Sequence, residues 1–463
     1  MKQAFSYILL FFFISGFSQD ITNTISLEEY LGYVKKYHPI VKQTHLITSE
    51  GEAKLLKSRG AFDPKVDVDY SRKKFDDSKY YNKLNTAFKI PTWYGVELKA
   101  TYENNDGKYL NPELNTPDDG LYSAGVSVSL AKGLFMNERM ATLKQAKLFT
   151  QQAQAKQQLV VNDVIYNALS SYFNWLKNYQ SLKTYEAFTE NAETRLEIVK
   201  KSYFAGDKPA IDTLEAGINL KNRLVDLEKA KIGYIKSKLE LSNYLWIENN
   251  IPLELEDAVV PDLNTIYVVD QVLNSSILNV DAIDITNHPK IRELQVKRDI
   301  LTIDKKLKTN NLLPTIDLQY NFLTTDFDPL SSLNTANYKS GLQVNFPLFL
   351  RKERGDLKLA KIKLQDVTLD LVATEVSLKN KIQSNIQEIT SYTNQHTILL
   401  DLVEDSKKLV QGEDRKFEIG EGSLFLVNYR EVKLIESQLK RIDAEYQLLN
   451  SKTSLLRTIN SLY

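Results

Sequence analysis

Histidine is the residue type best suited to move a proton or to bind a metal ion near neutral pH. Two histidines stand directly before prolines, in the pairs His38-Pro39 and His288-Pro289. Because a residue before proline is pushed away from the helical conformation, we expect each of them to end a helix. Their separation lacks the spacing of paired metal ligands, so neither a metal site nor a cofactor is expected. The four histidines are His38, His45, His288 and His396.

Composition and motifs exclude several other kinds of chemistry. The chain has no cysteine, so it has no disulfide and no thiolate site. Its 59 basic residues balance 59 acidic ones, which argues against a nucleic-acid partner. It contains no phosphate loop, dinucleotide fingerprint or nucleophile elbow, and the sequence therefore predicts no enzyme.

Acidic side chains follow a glycine-containing turn in the first half of the chain. Asp212 and Glu215 come shortly after Gly206 and Pro209, with Lys208 directly before the proline. Carboxylates are favourable in the first turn of a helix, where the helix dipole presents positive charge. Lys208 is placed to pair with one of these acids, although an exposed pair contributes little stability. Any further role depends on the elements that carry them.

The first residues have the features of a secretory signal. Lys2 precedes an apolar run over 4–14, and Gly16 and Ser18 put small residues before a cut at Gln19. We expect residues 1–18 to be removed on export. The run is shorter than the ~20 residues that a bilayer core requires. No later segment is apolar over that length, so any membrane crossing must be made by strands.

The chain repeats its own pattern. Pro64 and Pro314 match with an offset of 250 (314 minus 64), and Gly206 and Gly420 match with an offset of 214 (420 minus 206). The first half therefore carries 36 additional residues (250 minus 214), placed after Pro64. Such collinear matches indicate a duplication. We predict three parts after the signal, namely a first repeat over 19–250, a link over 251–280 and a second repeat over 281–463.

Four segments alternate apolar and polar residues with the period of a β-strand. Each repeat has one pair, at about 64–75 and 121–131 and at about 314–325 and 338–348. A transmembrane β-barrel requires this pattern, with lipid outside and water inside. A soluble sheet with one buried face gives the same alternation, so the pattern alone leaves both possibilities open.

Each repeat also contains a predicted helical hairpin, over 139–248 in the first and 354–460 in the second. Long stretches free of glycine and proline open both hairpins and carry an apolar stripe. Helices of this kind need partners along their length. The hairpin turns are marked by small or rigid residues, namely Gly206, Pro209, Gly420 and Gly422.

The duplicated order of helix, strand, loop, strand, long helix, glycine turn and returning helix resembles the TolC-like outer-membrane efflux protein family. The His-Pro pairs, the segment 346–349 (Phe-Pro-Leu-Phe) that leads to Arg354, and the turns 204–215 and 417–429 carry the resemblance. It implies a mixed α+β membrane protein whose long α-helical hairpins form a periplasmic α-barrel. It also implies a homotrimer that shares one transmembrane β-barrel, each subunit lending four of twelve strands.

In this family, acidic residues past the turn glycine ring a narrow periplasmic aperture and help to hold it shut. The matching positions are Asp212 and Glu215 in the first repeat, and Leu426 and Tyr429 in the second. Half of the acidic pattern is therefore present, with Lys208 close by. Threefold symmetry would bring the acids near one axis and favour cations. Simple placement at a helix start remains the alternative.

The additional residues of the first repeat alternate as well, over 86–90 and 96–102, on both sides of a turn at 91–95. This pattern predicts an added β-hairpin. The hairpin would either decorate the extracellular mouth or enlarge the barrel of a trimer to eighteen strands (six times three). A turn with proline and two aromatic residues suits a membrane interface. We expect decoration.

The resemblance implies a passive exit duct in the outer membrane of a Gram-negative bacterium, with a large periplasmic portion. Solute would pass from an inner-membrane pump through a periplasmic adaptor into the duct, as in tripartite efflux or type I secretion. The implied partners are two further copies of the chain, the adaptor, the pump and outer-membrane lipid. The alternative is a periplasmic helical-hairpin adaptor or scaffold that does not span the membrane. Adaptors have one hairpin flanked by compact β domains, whereas this chain has two hairpins.

Overall fold

The structure is a computed structural model that describes residues 24–274, 284–326 and 335–463. The expected signal over 1–18 and part of the predicted link lie outside the described residues. The chain forms two compact units, each drawn from both halves of the sequence, so the repeat boundaries stay a prediction. Of the described residues, the first unit comprises 24–38, 168–274 and 392–450. The second unit comprises 39–167, 284–326, 335–391 and 451–463.

Helices account for most of the described chain, and two of them are very long, at 67 and 68 residues. In the described ranges, no helix is both long and apolar enough to cross a membrane. The helices are α1 Leu27–Tyr37, α2 Pro39–Arg59, α3 Lys132–Phe135, α4 Glu138–Phe204, α5 Ala210–Ser242, α6 Thr265–Val272, α7 Pro289–Asn310, α8 Arg351–Glu418 and α9 Leu424–Thr458. The predicted hairpins are confirmed as α4 with α5 and as α8 with α9.

The two histidines before proline have different roles. His38 ends α1, and its backbone N–H donates to the Val34 carbonyl at 3.2 Å, as predicted. His288 instead begins α7, and its Nδ1 accepts a hydrogen bond from the Lys290 N–H at 3.1 Å. The prediction that His288 ends a helix is therefore wrong. The extended conformation imposed by Pro289 suits an N-cap residue equally well, because proline is favoured at the first helical position.

Each unit has its own core. In the first unit the aromatic side chains of Tyr30, Tyr172 and Trp175 are completely buried. The Tyr172 hydroxyl donates to the Ile25 carbonyl at 2.9 Å, which fixes this early segment to α4. In the second unit α7 packs against α8 through apolar side chains, namely Ile291, Leu294, Val367 and Leu371.

The strands are β1 Thr24–Ile25, β2 Lys65–Phe75, β3 Ser78–Pro91, β4 Val96–Asp106, β5 Leu121–Ala131, β6 Trp246–Ile247, β7 Ile251–Pro252, β8 Val260–Pro261, β9 Thr315–Thr324 and β10 Tyr338–Asn345. The second unit contains one six-stranded antiparallel sheet, in the order β10-β9-β5-β4-β3-β2. The four strands predicted in pairs are confirmed as β2, β5, β9 and β10, within a few residues at each end. Short strands β1, β6, β7 and β8 form two further pairs.

The added hairpin forms β3 and β4, and its place in the sheet corrects our expectation. We expected it to decorate the extracellular mouth, but β3 pairs with β2, and β4 pairs with β5, so the hairpin lies inside the sheet. The expectation was wrong because a turn with proline and aromatic residues, here 91–95, is equally compatible with joining two strands of the sheet itself. The sequence around the turn does not specify which strands the hairpin pairs with.

Candidate functional site

Both hairpin turns are closed by a glycine in the left-handed backbone region. Gly206 follows α4 with a φ of 86°, and Gly420 follows α8 with a φ of 81°. In each turn the next residue bonds back across the end of the helix. The Asp207 N–H donates to the Ser202 carbonyl, and the Glu421 N–H donates to the Lys416 carbonyl, both at 2.9 Å. A glycine with this hydrogen bond is a common helix stop, because a side chain there would be strained.

Lys208 and Pro209 connect the first turn to the returning helix. Pro209 is the N-cap of α5. The Lys208 ammonium lies 4.3 Å from the centre of the Phe417 ring, near the end of α8. This cation–π contact joins the first turn to the second hairpin, where the sequence suggested a pair between Lys208 and an acid.

The two candidate acids occupy different settings on α5. Asp212 lies in the first turn of the helix, and its backbone N–H donates to the Pro209 carbonyl at 3.1 Å. The Glu215 carboxylate accepts a hydrogen bond from Asn428 Nδ2 on α9 at 3.1 Å. Asn428 Oδ1 in turn accepts from Asn219 Nδ2 at 2.7 Å. Glu215 is therefore held between the two hairpins, whereas Asp212 is positioned by the helix start.

The second hairpin has apolar side chains at the two positions that match the acids Asp212 and Glu215 of the first. Leu426 and Tyr429 are 38% and 46% exposed, respectively. Sequence reasoning located these positions but missed Asn428 between them. A polar residue among apolar ones on α9 was the available signal, but its partner is 213 residues away in sequence.

A buried charge cluster lies farther along the same hairpins, and sequence reasoning missed it as well. The Glu431 side chain on α9 is 1% exposed, and its Oε1 lies 3.1 Å from Nη1 of Arg195 on α4. Arg223 on α5 approaches Glu431 Oε2 at 3.7 Å. Arg195 also contacts Asp414 on α8 at 3.2 Å. Two arginines and two acids thus link all four helices of the hairpins, with their formal charges balanced.

A second buried acid on α9 has a perturbed pKa. Burial raises the pKa of the Glu445 carboxyl, while the nearby Arg441 guanidinium and a hydrogen bond from Gln180 act in the opposite direction. Arg441 Nη1 lies 3.3 Å from Glu445 Oε2, one helical turn away. The structure provides no grouping of metal-ligating side chains among the residues that it describes.

Comparison with known proteins identifies the family. The sequence profile described as "Outer membrane efflux protein" matches residues 94–245 and 285–461, together more than half of the chain. The chain therefore belongs to the outer membrane efflux protein family. No curated protein matches it by sequence.

Solved structures of outer-membrane channels share its fold at low sequence identity. The Campylobacter jejuni CmeC channel is 14% identical, with a TM-score of 0.66 over 94% of this chain and 85% of that one. Vibrio cholerae VceC is 10% identical, with a TM-score of 0.65 over 93% and 95%. The open state of Neisseria gonorrhoeae MtrE is 11% identical, with a TM-score of 0.55 over 94% and 88%.

These findings place the protein in the outer membrane as an efflux channel with a periplasmic portion. Its family is one of channels rather than enzymes. The alternative hypothesis of a periplasmic scaffold that does not span the membrane is not favoured. The duplicated arrangement of helical hairpins and β-strands is the arrangement that the resemblance implied.

Replacing Glu431 by glutamine should destabilise the protein more than any exposed charge substitution on the same helix. The substitution takes the facing acid away from Arg223 and one of two acids away from Arg195, and breaking a buried ion pair in this way costs about 3–5 kcal/mol. The matched control is Glu436→Gln, whose exposed pair with Lys433 contributes about 0–1 kcal/mol. Thermal unfolding of the purified protein, followed by circular dichroism, should show a clearly lower midpoint for Glu431→Gln alone. Equal midpoints for both variants would contradict the role of the cluster.

Gly420→Ala should also destabilise the fold, by about 1–2 kcal/mol, because an alanine side chain is strained at positive φ. Gly412→Ala is the matched control on α8, where an added methyl group meets nothing within 4 Å. Alanine at this helical position should instead stabilise by about 0.4–1 kcal/mol. The same unfolding measurement compares the two, and a shift of the same sign in both would refute the assignment of the turn.

Proposed function

We propose that the protein is the outer-membrane duct of a tripartite efflux or type I secretion system and works as a homotrimer. The observation that carries the trimer is the open sheet. Its two edge strands, β2 and β10, are exposed along nearly their whole length. Unpaired strand edges are not tolerated in lipid, so a sheet that crosses a membrane must be closed by other copies of the chain.

The partners follow from the family and from exposed apolar side chains near the hairpin turns. Phe204 is 83% exposed at the end of α4, and Ile419 is 65% exposed at the second turn. Exposed apolar side chains are grouped at both turns, where Ile211, Leu214 and Phe425 are also exposed, and such a grouping favours contact with another protein. We assign this surface to a periplasmic adaptor that connects the duct to an inner-membrane pump. The duct itself performs no chemistry, and its sheet contacts outer-membrane lipid.

Asp212 and Glu215 are proposed to form the acidic lining of the periplasmic aperture, with Lys208 bracing the turn. Glu215 is fixed by Asn428, which gives the carboxylate a defined position on α5. In a trimer each acid is present three times around one axis, and a ring of carboxylates attracts cations. The apolar Leu426 and Tyr429 would alternate with the acids around the opening.

Removing both acids should open this constriction. We expect Asp212→Ala combined with Glu215→Ala to raise the single-channel conductance in planar bilayers and to lower the preference for cations. The conductance rises because the Glu215–Asn428 link is lost, and the selectivity falls because the ring is neutralised. The matched control is Asp226→Ala with Glu228→Ala, which removes two charges from α5 away from the turn. Unchanged conductance and selectivity in the first variant would argue for a role limited to the helix start.

A further inference from the structure

The added hairpin is bonded into the sheet on both sides. β3 pairs with β2 from Lys65 opposite Lys89 to Phe75 opposite Ser78. β4 pairs with β5 from Val96 opposite Val128 to Glu103 opposite Leu121. The other edge of each strand is occupied by its hairpin partner. Both added strands are therefore interior strands of the sheet, each paired with another strand along both of its edges.

The added strands are also long enough to cross a membrane. β3 has 14 residues and β4 has 11, compared with 11 in β5 and 10 in β9. A tilted transmembrane strand needs about 9–11 residues. A hairpin that only extended an extracellular loop would not need to match the length of the strands beside it.

The two faces of the sheet continue through the hairpin without interruption. Directly opposed residues share a face, and successive residues of a strand face opposite sides. One row across all six strands is largely apolar, namely Val66, Phe88, Ala100, Ala124, Phe322 and Tyr338. The adjacent row, on the other face, lacks large apolar side chains and consists of Lys65, Lys89, Lys99, Gly125, Asn321 and Lys339. The hairpin thus carries the alternation of a barrel wall in register with its neighbours.

Closure between copies is geometrically consistent with six strands. Neighbouring strands are antiparallel throughout, so β2 and β10 run in opposite directions at the two edges. The β10 strand of one copy can therefore pair with β2 of the next and keep the sheet antiparallel. Three such copies give eighteen strands (six times three), where four strands per copy would give twelve.

We infer that the hairpin widens the outer-membrane exit to an eighteen-stranded barrel for bulky water-soluble solutes. This inference rests on the proposed trimer. Barrel diameter grows roughly linearly with strand number, so the exit is about 1.5-fold wider than a twelve-stranded one (18 divided by 12). Barrels of sixteen to eighteen strands enclose an aqueous channel. The polar inner face, which carries several lysines, suits hydrated cargo.

Single cysteines test which side of the hairpin faces water, because the natural chain has none. Thr101→Cys lies on the polar face of β4, and Ala100→Cys lies on the apolar face. Ser123→Cys and Ala124→Cys are the matched pair on β5, directly opposite. In outer-membrane vesicles, a membrane-impermeant maleimide should label positions 101 and 123, and a lipid-soluble maleimide should be required for positions 100 and 124.

The outcomes separate this inference from the proposed function. Equal labelling of positions 100 and 101 by the impermeant reagent, with alternation retained at 123 and 124, would place the hairpin outside the wall and overturn the inference alone. Loss of alternation in both pairs would show that the sheet is not a membrane wall, and the proposed duct would fail with it. Alternation in both pairs supports the hairpin as part of the barrel.

Deleting residues 78–106 tests the width directly. The Tyr109 N–H donates to the Tyr80 carbonyl at 3.0 Å, so the loop after β4 lies beside the start of β3. Joining Asp77 to Gly107 therefore leaves β2 and β5 as neighbours connected at one end. Electron cryomicroscopy of the trimer should show eighteen strands in the natural protein and a barrel about one third narrower in the deletion variant. Twelve strands in the natural protein would overturn the inference, even if the deletion variant does not assemble.

Discussion

Every backbone N–H and C=O group of a strand that crosses lipid must find its partner within the protein. Among the residues that the structure describes, the sheet meets that requirement for four of its strands and leaves one edge of β2 and one edge of β10 unpaired. Both edge strands are exposed in the single chain. The proposed trimer, the shared barrel and the width of the exit all depend on how these two edges are closed.

The helical hairpins meet a different requirement. After helices of 67 and 68 residues the chain must change direction, and the helices of the two hairpins must be held together. Glycines at positive φ end the long helices, and the buried cluster around Glu431 joins the four helices of the two hairpins. The contact between Glu215 and Asn428 is the corresponding link close to the turns. A channel needs such mechanical links rather than reactive groups, which agrees with the lack of catalytic motifs in the sequence.

Local patterns predicted the two helical hairpins, the strands of the six-stranded sheet and the two turns because each depends on residues close together in the chain. The alternation in β5 and the glycine at position 206 are examples. Which strands pair and which side chains meet was not predictable in this way. The pairing of β3 with β2, the reach of Asn428 to Glu215 and the burial of Glu431 depend on contacts between distant residues. The prediction that His288 ends a helix failed for a different reason, because the backbone conformation of a residue before proline suits either end of a helix.

In the proposed trimer, copies of this chain close one membrane wall between them. The most direct test is the native mass of the protein extracted by detergent from the outer-membrane fraction, with the bound detergent subtracted. A trimer gives a species with three times the mass of one processed chain. A monomer, or a protein that is released without detergent, would contradict it, because the edges of β2 and β10 would then have no partner in the membrane.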